Sequence, residues 1–165
     1  MNAHRLVYRQ LLPLDIDTTF SFFADAANLD RLTPPWLHFQ ILSQLPVAMR
    51  PGAFIDYKLR LRGVPINWQS EITAWEPPHH FVDVQRRGPY RLWEHTHRFE
   101  RIGEQATLVI DEVRYAVPGG GVVNRLAVRP DLDRIFRFRR EQLESWAMDI
   151  IRQREQVPSG GANSD

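Results

Sequence analysis

Two histidines stand two residues apart in the stretch Arg91–Arg101, as His95 and His97. Imidazole titrates near neutral pH, so such a pair can exchange protons, hydrogen-bond a ligand or coordinate a metal. Side chains two apart share one face of a strand. Trp93 and Phe99 flank the histidines on that face, which marks it as the inner one. In the next stretch Val109, Asp111, Val113 and Tyr115 form the corresponding set, because the alternate face carries the solvated pair Glu112 and Arg114. Phe81, Asp83 and Gln85 are the inner set of the stretch before the histidines, and Tyr57 and Trp68 fall on the inner faces of two earlier ones. Phe136 and Arg139 lie in the apolar stripe of a later helical segment. Burying such polar groups without partners costs about 1–3 kcal/mol each, more when charged. Their number therefore points either to a network that satisfies itself and holds strand register, or to a hydrated cavity. Apolar and aromatic walls with a few convergent polar groups are the general form of a small-molecule site.

The candidate ligand-binding set is thus Tyr57, Trp68, Asp83, Gln85, Trp93, His95, His97, Asp111, Tyr115, Phe136 and Arg139, with His95, His97 and Asp111 the candidates for acid–base chemistry. Asp111 would orient one histidine. It would also be a third metal ligand after His-x-His, but no fourth is apparent, and the expectation is no metal and no cofactor. Arg139 either pairs with a ligand carboxylate or with Asp111, or covers core with its stem while its head reaches water.

The elements that would hold these groups follow from period and punctuation. Arg5–Leu12 alternates as a first strand. Ile16, Phe20 and Phe23 then share a helical face behind an Asp15 or Asp17 cap, and Asn28–Thr33 reads as a second short helix stopped by Pro34-Pro35. Strands are predicted over Leu37–Leu45, Ala53–Arg62, Pro65–Glu76 (with Ala74 on the inner face), Phe81–Arg87, Arg91–Arg101 and Ala106–Val117. The breaks between them are short, which favours antiparallel hairpins. Gly119-Gly120-Gly121 releases the chain, and a helix is predicted from about Pro130 to Arg152, with Leu132, Phe136, Leu143 and Trp146 on its apolar stripe. Trp36 either caps one end of the pocket or belongs to the core. Hairpins bracketed by helices define an α+β domain, expected over residues 1–155 with a disordered polar tail over 156–165.

Composition narrows the function further. The 165 residues include no cysteine, which excludes disulfides and thiol chemistry. No apolar run approaches the ~20 residues of a membrane span, and no apolar leader is visible at the N-terminus, so the expectation is a cytoplasmic protein. The net charge is +1, and Lys58 is the single lysine. That balance argues against a dedicated nucleic-acid binder. The arginine run Arg129, Arg134, Arg137, Arg139 and Arg140 is followed by Glu141 and Glu144 and reads mainly as a solvated helix face.

One strand, two short helices, six strands and a long last helix is the order of the helix-grip fold. The sequence resembles the SRPBCC superfamily, which includes START domains, the major birch pollen allergen and aromatase/cyclases, and is most similar to a bacterial ligand-binding subgroup. The resemblance spans about residues 4–152. It rests on Phe23–Leu37 (FADAANLDRLTPPWL), Gly88–Phe99 (GPYRLWEHTHRF), Asp111–Gly119 (DEVRYAVPG) and Leu132–Arg140 (LDRIFRFRR). It implies a curved antiparallel sheet of about seven strands wrapped around the last helix. A lipid, polyketide-like or aromatic ligand would lie between them. Members bind, and some cyclise or dehydrate, their ligands in that space, so the resemblance implies either a binder or a cyclase/dehydratase-like enzyme using His95, His97 and Asp111. An interaction module using its arginines on RNA or the ribosome is the third reading.

Overall fold

The structure, a computed structural model, describes residues 3–156. Seven strands form one sheet in the order β1-β7-β6-β5-β4-β3-β2, and every neighbouring pair is antiparallel. The strands are β1 (His4–Leu12), β2 (Gln40–Ile41), β3 (Phe54–Leu61), β4 (Val64–Glu76), β5 (His80–Arg87), β6 (Leu92–Gly103) and β7 (Ala106–Ala116). The helix-grip expectation holds: the sheet packs against a long C-terminal helix, with short helices after β1.

Helix α1 (Ile16–Ala24) starts at Asp15, whose carboxylate accepts from the Thr18 N–H at 2.8 Å. Asp15, not Asp17, is therefore the cap. A 3₁₀ turn at Ala26–Asn28 runs into α2 (Leu29–Leu32), which stops ahead of Pro34 as proline chemistry requires.

Two expectations need correction. The strand predicted over Leu37–Leu45 shrinks to the two residues of β2. Pro35–Leu37 form a 3₁₀ turn and His38 takes a left-handed conformation, which breaks the extended path. Leu42 and Leu45 are exposed, so the segment has no buried face to hold a longer strand in register. The last helix starts earlier than Pro130. Gly119 and Gly120 have φ of 88° and 70°, a left-handed turn that favours glycine. The chain becomes helical at once through α3 (Gly120–Val123) and a π turn (Asn124–Val128) into α4 (Arg129–Gln156). Pro130, which lacks an N–H, follows directly behind the wider π turn, which absorbs the irregular bonding. Gln156 ends α4, and the remainder of the predicted tail lies outside the described residues.

The predicted inner faces of β6 and β7 are buried throughout. In β4 a bulge at Thr73 shifts the register between Ile72 and Ala74. Trp75, rather than Ala74, therefore turns inward, where it packs against Phe20 and Phe81.

The buried apolar side chains form two clusters. One gathers Phe20, Phe99, Val109, Leu143 and Trp146; the other gathers Trp68, Trp93, Val113, Leu132 and Phe136. Along β6 the sequence Trp93, His95, His97, Phe99 crosses from one cluster to the other. So do Val113, Asp111, Val109 along β7 and Phe136, Arg139, Leu143 along α4. A polar belt thus separates two apolar halves. The helix is fixed across it by Tyr8 donating to Asp133 Oδ1 at 2.7 Å and Gln10 Nε2 donating to the Arg140 carbonyl at 2.9 Å.

Candidate functional site

Strand register assembles the belt. Asp83 of β5 stands opposite His95 of β6, and His97 stands opposite Asp111 of β7. The hydrogen bonds run on the diagonals of this block. His95 Nε2 is 2.9 Å from Asp111 Oδ1, and His97 Nε2 is 2.9 Å from Asp83 Oδ2. The two rings lie 3.8 Å apart, centroid to centroid. His97 Nδ1 lies 3.0 Å from Asp111 Oδ1 without hydrogen-bond geometry. The network extends outward as Ser70 Oγ donates to Asp83 Oδ1 at 3.4 Å and Trp68 Nε1 donates to Ser70 Oγ at 3.1 Å. From α4, Arg139 Nε reaches to 3.6 Å of Asp111 Oδ2. The expected pairing of Arg139 with Asp111 is present as a charge contact.

Burial alone would raise the pKa of Asp111, but the Arg139 charge and the two histidines hold it well below the usual carboxylate range. Burial opposes ionisation of Asp83 too, and the His97 hydrogen bond with the imidazole charges outweighs it, so its pKa is lowered. The histidines split. Burial and the neighbouring His97 push His95 below its ordinary value. For His97 burial acts the same way, but Asp111 and Asp83 together overcome it and raise the pKa. These directions favour ionised Asp83 and Asp111, make His97 the histidine that holds a second proton more readily, and make His95 the one that stays neutral more readily. A carboxylate can only accept, so the neutral His95 donates from Nε2 to Asp111 and keeps Nδ1 as a bare acceptor.

Above the belt lies a cavity of ≈ 180 Å³. Of the predicted residues, Tyr57, Trp68, Asp83, Trp93, His95, His97, Phe136 and Arg139 line it. Three do not. Asp111 sits behind the histidines. Gln85 turns to the β5–β6 turn, where its Nε2 donates to the Tyr90 carbonyl at 2.8 Å. Tyr115 is fully buried and donates to Asn124 Oδ1 at 2.8 Å, which anchors the π turn. Sequence reading missed Ser70, Tyr90 and the wall supplied by Phe23 and Leu32. Tyr90 stood within the quoted GPY run, and Ser70 on the predicted inner face of β4. The α2 contribution had no polar signal to reveal it. Trp36 is neither core nor pocket cap: it is exposed, with the Arg134 guanidinium 4.1 Å over its ring.

Asp83, His95 and His97 each offer a ligand atom within 4.8 Å of the others, so the carboxylate closest to a metal geometry is Asp83 rather than Asp111. Asp83 Oδ2 and His97 Nε2 are already committed to each other, and the Arg139 charge beside Asp111 opposes a further cation. Along the edge of α4 beside β1, Arg129 pairs with Asp133 and Arg140 with Glu144 in half-exposed ion pairs. No helix among the described residues is long and apolar enough to cross a membrane.

No known family profile matches the sequence, and no curated protein matches it. Solved structures do. The Zhui aromatase/cyclase from Streptomyces sp. R1128 superposes with a TM-score of 0.71 at 13% identity, covering 97% of this chain and 99% of that one. A START superfamily protein from Mycobacterium smegmatis gives 0.67 at 14% identity, over 87% and 99%. Major latex-like protein 151 from Panax ginseng gives 0.65 at 14% identity, over 88% and 97%. The chain thus has the fold that these aromatase/cyclase, START and latex-like structures share.

Proposed function

We propose that the chain binds a small hydrophobic or aromatic molecule in the cavity between the sheet and α4. The observation that carries this reading is the cavity itself, walled by Trp68, Trp93, Tyr57 and Phe136 and floored by the polar side chains of Asp83, His95 and His97. A belt serving only to hold strands together has no need of empty space beside it, and native interiors leave few voids larger than a water. Native mass spectrometry of protein purified from its own host tests the proposal. A retained small molecule, lost when Trp93→Ala removes part of the aromatic wall, is the expected result. Protein that arrives empty and takes up nothing from a host metabolite extract overturns it.

The second reading, a cyclase/dehydratase-like enzyme, is favoured by the opposite displacement of the two histidines. Neighbouring groups whose pKa values are driven apart supply a base and an acid at one pH. His95, oriented by Asp111, offers the bare Nδ1, and His97, whose pKa is raised, is the neighbour that holds a proton more readily. Incubating the retained molecule with the protein separates the readings. If it returns unchanged and His95→Ala or His97→Ala weakens binding by about 1–3 kcal/mol, the chain is a binder. If it is converted, with turnover falling about 10²–10⁴-fold in one variant at nearly unchanged affinity, the histidine is an acid or base.

A further inference from the structure

Resting on the binding reading above, we infer that the ligand is a single-ring aromatic carboxylate, its ring against the aromatic wall and its carboxylate on Arg139.

Size sets the first limit. A cavity of about 150 Å³ lined by apolar side chains accommodates benzene, and this one measures ≈ 180 Å³. The surplus fits one substituent of a few atoms. A fused multi-ring skeleton or a long acyl chain would have to extend beyond that space.

Charge and hydrogen bonding set the second. Arg139 lines the cavity, and its side chain is only 11% exposed. Its charge contact, Asp111, is 3.6 Å away, beyond a good hydrogen bond, and the buried Nε has no hydrogen-bond partner among the described residues. A guanidinium carries five N–H donors in a planar fork that matches a carboxylate. A buried donor left unmet is costly, and such a group in a native structure needs an explanation. The carboxylates of the belt are already engaged: Asp111 by His95, and Asp83 by His97 and Ser70. Arg139 itself is part of the cavity wall, so a ligand carboxylate in that space would meet its charge. The Phe23 ring, whose centroid is 5.4 Å from the guanidinium carbon, backs it with an apolar surface that water would not satisfy.

The ring of such a ligand finds matching surface. Trp68 and Trp93 meet edge to face at 5.4 Å, and Tyr57 stacks parallel to Trp68 at 5.8 Å. Planar walls of this kind favour a planar guest. A neutral aromatic would fill the same space and leave the guanidinium unmet.

Isothermal titration with benzoate, benzamide, 9-anthracenecarboxylate and oleate tests size and charge on the unaltered protein. Benzoate is expected to bind, and benzamide to bind about tenfold or more weakly, a difference of roughly 1.4 kcal/mol. The anthracene acid and oleate are expected to bind more weakly than benzoate. Arg139→Gln should erase the preference for benzoate over benzamide, and Arg139→Lys should retain part of it; thermal melts identify a variant that has lost its fold. Benzamide binding as well as benzoate overturns the carboxylate assignment, as does a folded Arg139→Gln that keeps the preference. Oleate or the anthracene acid binding as tightly as benzoate overturns the single-ring limit. If none of the four binds while native mass spectrometry finds a retained molecule, the inference fails and the binding function stands. If the protein is also empty, both fail.

Discussion

Replacing Asp111 by Asn removes one negative charge from the centre of the belt while keeping nearly the same shape. Asp111 is 8% exposed and touches three other members: His95 at 2.9 Å, His97 at 3.0 Å and Arg139 at 3.6 Å. After the change Arg139, 11% exposed, has no anion within ion-pair distance among the described residues. Breaking a buried pair from one side costs about 3–5 kcal/mol, because the remaining charge is stranded. His97 can shed its proton to limit the damage, so we expect the lower end, about 3 kcal/mol. For a domain of this length that lowers Tm by roughly 6–12 °C. Urea unfolding followed by tryptophan fluorescence reads the same loss as a shifted midpoint at unchanged slope. The double variant Asp111→Asn with Arg139→Met removes both charges and should recover more than about 1 kcal/mol relative to Asp111→Asn alone, the sign of a coupled pair. A single-variant loss below about 1 kcal/mol, the range of exposed ion pairs, would refute the picture of a dry, interdependent belt.

Stability should depend on pH with opposite contributions from the two histidines. The His97 pKa is raised by folding, so its contribution is fully present below the unfolded value near 6.5 and is lost as pH rises through the folded value. The His95 pKa is lowered, so stability is instead lost as pH falls from about 6.5 toward its folded value. Urea midpoints should peak near the ordinary histidine pKa. His97→Asn should flatten the alkaline limb and His95→Asn the acid limb; unchanged limbs in both variants would contradict the assignment. Purified protein is expected to carry no stoichiometric zinc, iron or copper, and elemental analysis giving close to one metal per chain, lost in His95→Ala, would show that the belt coordinates a cation instead.

The alternation of β6 and β7 exposed the histidines and Asp111 directly, because two-residue periodicity alone decides which face a side chain takes. Register did not follow from either strand taken singly. That Asp83 stands opposite His95, and so pairs diagonally with His97, depends on the length of the β5–β6 turn and on pairing across the sheet. The bulge at Thr73 was hidden for the same reason: one extra residue is defined only against a partner strand. Gln85 and Tyr115 carry polar groups on faces that were read correctly as inner, yet each meets a partner outside the cavity, Gln85 at the backbone of Tyr90 and Tyr115 at Asn124. Facing inward is a strand property, whereas lining a void depends on which neighbours arrive to fill the space. The early start of the last helix was masked by three glycines whose sequence signature is that of a loop.

The four ionised groups of the belt come from four separate elements: Asp83 from β5, His97 from β6, Asp111 from β7 and Arg139 from α4. The three strands without α4 cannot be dehydrated neutrally. A sheet without its helix would enclose two carboxylates against one imidazolium, and water must stay until the guanidinium arrives. Docking of α4 and expulsion of water are thereby the same event, which places the final commitment of this chain at the helix–sheet seam rather than within the sheet. Amides of β6 and β7 beside the belt should consequently exchange their hydrogens no more slowly than those of α4 around Arg139, since opening either one wets both.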